Sequence, residues 1–269
     1  DPVDALMRQL EPLLEKGDIV IDAGNSYFKD TIRREKDYAS KGLRFIGMGV
    51  SGGEEGARRG PAIMPSGDKE AHKAIEPILT AIAAKVNGEA CTAYIGENGS
   101  GHYVKMVHNG IEYGDMELIA ESYQLLKEVG QKSNDQLAEI FSGYNQRALD
   151  SYLIEITAEI LKTKDDLSSD YLIDRILDTA GQKGTGLWTS KEALDLGVDI
   201  SVITSAVFAR LISSDRKQRI EAENVLPKTI IAAKVPEDLD ELIEKALYAA
   251  KVISYAQGFD LMKKAAEAY

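Results

Sequence analysis

Four polar residues in one short stretch have the types and spacing that proton transfer needs: Lys105, His108, Asn109 and Glu112, within Lys105-Met106-Val107-His108-Asn109-Gly110-Ile111-Glu112-Tyr113. At 3.6 residues per turn they fall on one side of a helix, with Val104, Val107, Ile111 and Leu118 on the other. A candidate base, a second titratable ring, an amide and a candidate acid then share one rigid surface, which suits acid–base chemistry on a small polar molecule. The alternative is a solvated stripe on an amphipathic helix, the commoner fate of such a pattern.

Other chemistry-bearing residues sit in Gly-rich loops. Ser51-Gly52-Gly53 can turn successive backbone N–H groups and a hydroxyl toward a carboxylate or phosphate, or can be an ordinary tight loop. Asn25, in Asp22-Ala23-Gly24-Asn25-Ser26, is either a ligand contact or a turn asparagine. Lys183 lies in Gly181-Gln182-Lys183-Gly184-Thr185-Gly186, where the glycines let backbone approach a ligand; the alternative is a helix-ending loop with an exposed lysine. Arg210 interrupts the apolar run Ala206 to Ile212 and needs a partner, an internal carboxylate or a ligand anion. His72, His102 and His108 are too scattered to suggest a metal site.

The elements that must carry these residues divide near position 100. Before it, helix and strand alternate. Helical patterns run over Val3–Lys16, Thr31–Ser40 (charged and exposed) and Ala71–Val86; strands are expected at Ile19–Ala23, Arg44–Val50, Ala62–Pro65 and Thr92–Ile95. That alternation predicts a layered α/β domain, residues 1–100, with a parallel sheet and its loops at the carboxyl ends of the strands. After Gly96-Glu97-Asn98-Gly99-Ser100-Gly101 strand signals fade, and an all-α domain is expected over 101–269. Its helices are placed at Asp135–Gln146, Ser151–Lys162, Tyr171–Thr179, Val202–Ser213 and Leu239–Ala268. Gly47-Met48-Gly49-Val50-Ser51-Gly52 matches the dinucleotide fingerprint G-x-G-x-x-G, with Asp68 some way beyond. The segment Gly53–Gly60 that follows is too short for a crossover helix, so the fingerprint is rejected.

Composition sets outer limits. The chain has 269 residues and a net charge of −12, which argues against non-specific binding to nucleic acid. Cys91 is the single cysteine, so no internal disulfide forms, and a cytoplasmic location is expected. No apolar run approaches a membrane span. The opening Asp1-Pro2-Val3-Asp4 reads as a helix start, with Asp1 as cap and Pro2 at the first helical position, rather than as a leader.

Taken in order, Asp22-Ala23-Gly24-Asn25-Ser26, Gly49-Val50-Ser51-Gly52-Gly53, the run Lys105 to Tyr113, Gly181 to Gly186 and Phe208-Ala209-Arg210 closely resemble the 6-phosphogluconate dehydrogenase family. His-Asn-Gly-Ile-Glu-Tyr is the specific part, and Gly-Val-Ser-Gly-Gly is shared with related β-hydroxyacid dehydrogenases.

The resemblance implies oxidative decarboxylation of 6-phosphogluconate with NADP. By it, Lys105 takes the proton of the C3 hydroxyl during hydride transfer, and Glu112 protonates the enediol at C1 once carbon dioxide has left. Base work needs a neutral lysine and acid work a protonated carboxyl, and burial favours both. No metal is implied, because a β-keto acid carries its own electron sink. The resemblance places Ser51, Gly52, Gly53, His108 and Asn109 around the carboxylate and hydroxyls. It places Tyr113, Lys183, Thr185 and Arg210 on the phosphate, and Asn25 between cofactor and substrate. Independently of the resemblance, the long helical region Asp199–Tyr269 offers much apolar surface, so a homodimer built by the helical domain is expected.

Relative to that family, the first strand, the true dinucleotide loop and the selector for the cofactor's 2′-phosphate are missing, as is a C-terminal tail. The expectation is therefore a piece of a longer parent, holding the later part of a Rossmann-type domain. Two alternatives remain at this stage: another β-hydroxyacid dehydrogenase, which would not need Lys183 and Arg210 for a phosphate, and an inactive helical dimerisation module.

Overall fold

The computed structural model describes residues 2–227 and 234–269. The cap expected from Asp1 lies outside the described residues. The chain forms two compact units, one of residues up to His108 together with Ala265–Tyr269, the other of Asn109–Lys264.

In the first unit, α1 (Pro2–Leu10) passes through a 3-10 turn at Glu11–Leu13 into β1 (Ile19–Asp22), followed by α2 (Phe28–Ser40) and β2 (Arg44–Ser51). The turn contains Pro12, which cannot donate to a continuing helix, so the helix expected to Lys16 stops early. β1 and β2 are parallel, from Ile19 opposite Arg44 to Asp22 opposite Gly47. After α3 (Gly53–Arg59) comes β3 (Ala62–Gly67), which runs antiparallel to β2, with Ser51 opposite Ala62 and Ile46 opposite Gly67. The sheet is parallel at β1 and β2, as expected, and departs from that only at β3: a seven-residue helix cannot carry the chain back along the sheet, so the next strand reverses direction.

The helix expected to Val86 ends sooner. α4 (Lys69–Ile82) is followed by a hairpin, β4 (Lys85–Val86) and β5 (Glu89–Ala90), turning on Asn87-Gly88 with φ of 53° and 85°. The strand expected at Thr92–Ile95 is reduced to two bridges against β3, Ile63 with Thr92 and Ser66 with Gly96. α2 was expected to be exposed, but Phe28, Thr31, Arg34 and Tyr38 form a buried face at helical spacing. The Arg34 guanidinium is held there by Asp4 at 2.8 Å and Asp22 at 3.5 Å. Two apolar layers hold the sheet: Met7, Tyr38, Leu43 and Phe45 in one, Ile46, Met48, Ile63, Ile75 and Leu79 in the other.

The second unit is helical. α5 (Ser100–Gln124) starts in the first unit and continues in the second, ending in a π turn at Leu125–Val129. Then come α6 (Asn134–Tyr144), α7 (Tyr152–Lys162), α8 (Thr185–Leu196), α9 (Ser201–Ser214), α10 (Arg216–Val225) and α11 (Leu239–Ala268). Leu126, Leu137, Phe141, Leu149, Ile154 and Leu161 pack with Ile243 and Leu247 of α11 into one core. The helix expected at Tyr171–Thr179 is only a 3-10 turn, Leu172–Asp174. Its flanking backbone bonds to the facing segment instead, Leu172 N–H to the Thr163 carbonyl and Asp165 N–H to the Asp170 carbonyl. Among the described residues no helix is long and apolar enough to cross a membrane.

Candidate active site

In the first unit the site begins with three glycines. A Cβ on Gly49 would stand 2.5 Å from the Lys105 Cβ and 2.9 Å from the Gly101 carbonyl oxygen; one on Gly47 would stand 2.4 Å from Thr31 Cγ2. A Cβ on Gly101 would collide with the Met64 carbonyl. Glycine at these positions lets β2 lie directly against the first turns of α5. The G-x-G of the rejected fingerprint thus serves helix–strand packing. It seats Lys105 where only 8% of its surface is exposed. The solvated-stripe alternative fails, because α5 is buried nearly all round: Tyr103, Met106, Val107, Ile111, Tyr113 and Asp115 are buried too.

β2 ends at Ser51, and Gly52 and Gly53 follow with φ of 151° and 55°, values that favour glycine. Both glycines are exposed. A Cβ on Gly52 would lie 2.7 Å from Gly56 Cα, so the turn is tight. The Ser51 hydroxyl lies 3.5 Å from His108 Nε2, which joins the loop to α5. Asn25 is exposed on the loop that leaves β1. That loop is fixed by Asp22, whose carboxylate accepts from the Gly24 N–H at 3.1 Å and the Ser26 hydroxyl at 2.6 Å. Beneath it His102 Nδ1 meets the Thr31 hydroxyl at 2.8 Å, and burial pushes the His102 ring below its ordinary pKa, against the pull of Asp22.

In the second unit a different group converges. Asn109 donates to the Thr185 hydroxyl at 3.2 Å. The Tyr113 ring packs on Gly186, where a Cβ would come within 2.8 Å of it. The Arg210 guanidinium lies over the same ring, 3.6 Å from its centre, and donates to the Gly181 carbonyl at 2.9 Å. Among the described residues no carboxylate pairs with Arg210, so the internal ion pair considered from sequence is replaced by a ring and a carbonyl. Lys183 is exposed on its loop, and Glu112 is half-buried.

The structure therefore joins Ser51 with His108, Asn109 with Thr185, and Tyr113 with Arg210. Among the described residues Asn25, Glu112 and Lys183 make no hydrogen bond to another expected site residue. Sequence reasoning missed Gly49 and Gly101, whose signal was the G-x-G spacing itself. It also missed the surroundings of Glu112. Asp115, one turn further along α5, pairs with Lys251 at 2.9 Å, and burial together with Asp115 and Glu112 raises the Tyr255 hydroxyl pKa.

The first unit is thus an α/β layer built on a short mixed sheet with loops at its strand ends, and the second is helical. Residues 1–96 match the NAD binding domain of 6-phosphogluconate dehydrogenase and residues 101–269 its C-terminal domain. The chain belongs to the 6-phosphogluconate dehydrogenase family. It is 58% identical over 268 residues to the NADP(+)-dependent, decarboxylating 6-phosphogluconate dehydrogenase of Bacillus subtilis, covering 99% of this chain and 57% of that one. It is 51% identical to a decarboxylating 6-phosphogluconate dehydrogenase of Saccharomyces cerevisiae, covering 100% of this chain and 55% of the relative. The Plasmodium falciparum 6-phosphogluconate dehydrogenase, solved in apo form, with its cofactor NADP+ and with its substrate 6-phosphogluconate, superposes with a TM-score of 0.94 at 45% identity, over 98% of this chain and 57% of that one. The chain thus spans somewhat over half the length of these relatives.

Proposed function

We propose that the protein containing this chain oxidises and decarboxylates 6-phosphogluconate to ribulose 5-phosphate and carbon dioxide, with NADP as oxidant. The observation that carries the reading is the burial of Lys105 where β2 meets α5, on the strand that ends at Ser51-Gly52-Gly53. A lysine acts as a base only when neutral, and removal from water favours that form.

Lys105 takes the proton of the C3 hydroxyl. NADP supplies the acceptor for the hydride that leaves C3. Of the residues present, Asn25 fits a cofactor contact: it is exposed at the carboxyl end of a strand, on a loop pre-shaped by Asp22. As carbon dioxide leaves the β-keto acid, Lys105 returns its proton to the C3 oxygen, which gives an enediol, and Glu112 delivers a proton to the C1 of that enediol. Ser51, Gly52, Gly53, His108 and Asn109 hold the carboxylate and hydroxyls. Tyr113, Lys183, Thr185 and Arg210 hold the phosphate. Few cations suffice in a chain of net charge −12 because they are local.

A homodimer is supported by the apolar side chains that α11 leaves exposed, Tyr248, Val252, Tyr255 and Phe259, at helical spacing. A cytoplasmic location is supported by the unpaired Cys91.

The test is single-turnover kinetics on the full-length protein. Lys105→Met should form no reduced cofactor. Glu112→Gln should still reduce cofactor and release carbon dioxide in the first turnover, then stall. Equal loss of cofactor reduction in both variants would refute the separate base and acid.

A further inference from the structure

The loop that bears Lys183 has no regular structure from Thr179 to Gly184 and contains two glycines. Such a segment has many conformations to lose, so a ligand that orders it binds weakly unless something else orders it first. Four residues spaced by three, Arg210, Ser213, Arg216 and Arg219, run along the end of α9 and the start of α10 and grip it. The Asp178 carboxylate accepts from Arg216 Nε at 2.8 Å and from Arg219 Nη1 at 2.9 Å. Arg219 Nη2 also donates to the Asp178 carbonyl. The Ser213 hydroxyl accepts the Ala180 N–H at 2.9 Å, and Arg210 donates to the Gly181 carbonyl at 2.9 Å. Lys183 follows two residues later, and the loop closes into α8 through Gly184, at φ 98°.

We propose that Asp178 is a positioning residue: clamped by Arg216 and Arg219, it holds the Lys183 loop in its binding shape and so sets the preference for phosphorylated over unphosphorylated sugar acids. This rests on the phosphate role given above to Lys183, Thr185 and Arg210. The two arginines hold the Asp178 carboxyl at a pKa of about 2, so the clamp stays ionised over any working pH. The clamp touches no proposed ligand. Its loss therefore loosens the loop without removing a binding group. Arg210 is tied to the same loop at Gly181, so the effect reaches two of the phosphate contacts.

The experiment measures steady-state kinetics of the full-length enzyme with 6-phosphogluconate and with gluconate. Asp178→Ala should raise the KM for 6-phosphogluconate about tenfold, leave its kcat within about twofold, and leave the KM for gluconate unchanged. Arg216→Ala should do the same, and the double variant should be no worse than either single one, because both break one clamp. Asp178→Glu should recover part of the loss. Equal rises in KM for both substrates, or an unchanged KM for 6-phosphogluconate, would overturn the clamp, as would additive effects in the double variant. A wild-type enzyme that does not discriminate between the two substrates would instead overturn the phosphate reading beneath it. Asp178 and Arg216 are about half exposed, so their replacement leaves the core intact.

Discussion

The guanidinium of Arg210 lies flat over the Tyr113 ring, with its central carbon 3.6 Å from the ring centre. The two residues stand 97 positions apart in the sequence, on α9 and α5. The stack holds this half-buried arginine in place without a carboxylate hydrogen-bonded to it. The orientation of the cation is fixed by the ring and by the Gly181 carbonyl, with Glu117 as the carboxylate that feels its charge.

Arg210→Ala in the full-length protein should therefore weaken 6-phosphogluconate binding by about tenfold or more, on the scale of one charged hydrogen bond, and gluconate binding much less. Arg210→Lys should fall between, because an ammonium keeps the charge and loses the planar stack. Calorimetric titration with both ligands measures the difference. Equal weakening of the two ligands by Arg210→Ala would remove the phosphate assignment.

A pH effect is expected at Glu35. Burial, then Glu97 and Asp68, push its carboxyl above the ordinary value of 4.5, against the backbone N–H groups of Gly99 and Asn98. A raised pKa means that the folded state holds the proton more tightly than the unfolded chain. The stabilisation is present below pH 4.5 and is lost as pH rises through the folded-state value. At neutral pH an ionised Glu35 therefore costs stability. Glu35→Gln should raise the melting temperature at pH 7, and the gain should vanish by about pH 4. A lower melting temperature at pH 7 would mean that the bonds from Gly99 and Asn98 to the ionised carboxylate outweigh its burial.

How far the sequence could be read depended on how local each feature is. The 30-residue helix Leu239–Ala268 was legible to its ends, because helical periodicity is contained in the segment itself. The order of α/β and all-α parts was legible for the same reason. The reversal of β3 was within reach, since the shortness of Gly53–Gly60 excluded a crossover, yet strand direction is a property of the sheet and not of the strand. At Tyr171–Thr179 the composition suited a helix, but the backbone found partners in residues 163–165. In the site, the residue types at 105–113 were visible and the burial of Lys105 was not. That burial depends on Gly49, more than fifty residues earlier. The stripe of four residues spaced by three, Arg210, Ser213, Arg216 and Arg219, was open to reading, but its target, Asp178, lies in a loop without periodicity.

The dependence of Lys105 on Gly49 can be tested directly. Gly49→Ala introduces a Cβ that would sit 2.5 Å from the Lys105 Cβ and 2.9 Å from the Gly101 carbonyl oxygen. Neither neighbour is the free end of a flexible chain, so β2 and α5 must move apart and carry Lys105 with them. A displacement near 1 Å at a catalytic group costs about a hundredfold in rate. The full-length Gly49→Ala variant should therefore fold, bind the phosphorylated sugar acid within a few-fold of wild type, and lose about a hundredfold in kcat. Gly17→Ala is the control for backbone strain alone: Gly17 has φ of 95° and nothing within 4 Å of its added Cβ. That variant should lose about 1–2 kcal/mol of stability, the cost of a left-handed alanine, seen as a lower melting temperature, and leave kcat unchanged. A Gly49→Ala enzyme with wild-type kcat would show that the close approach of β2 to α5 does not set the position of the base.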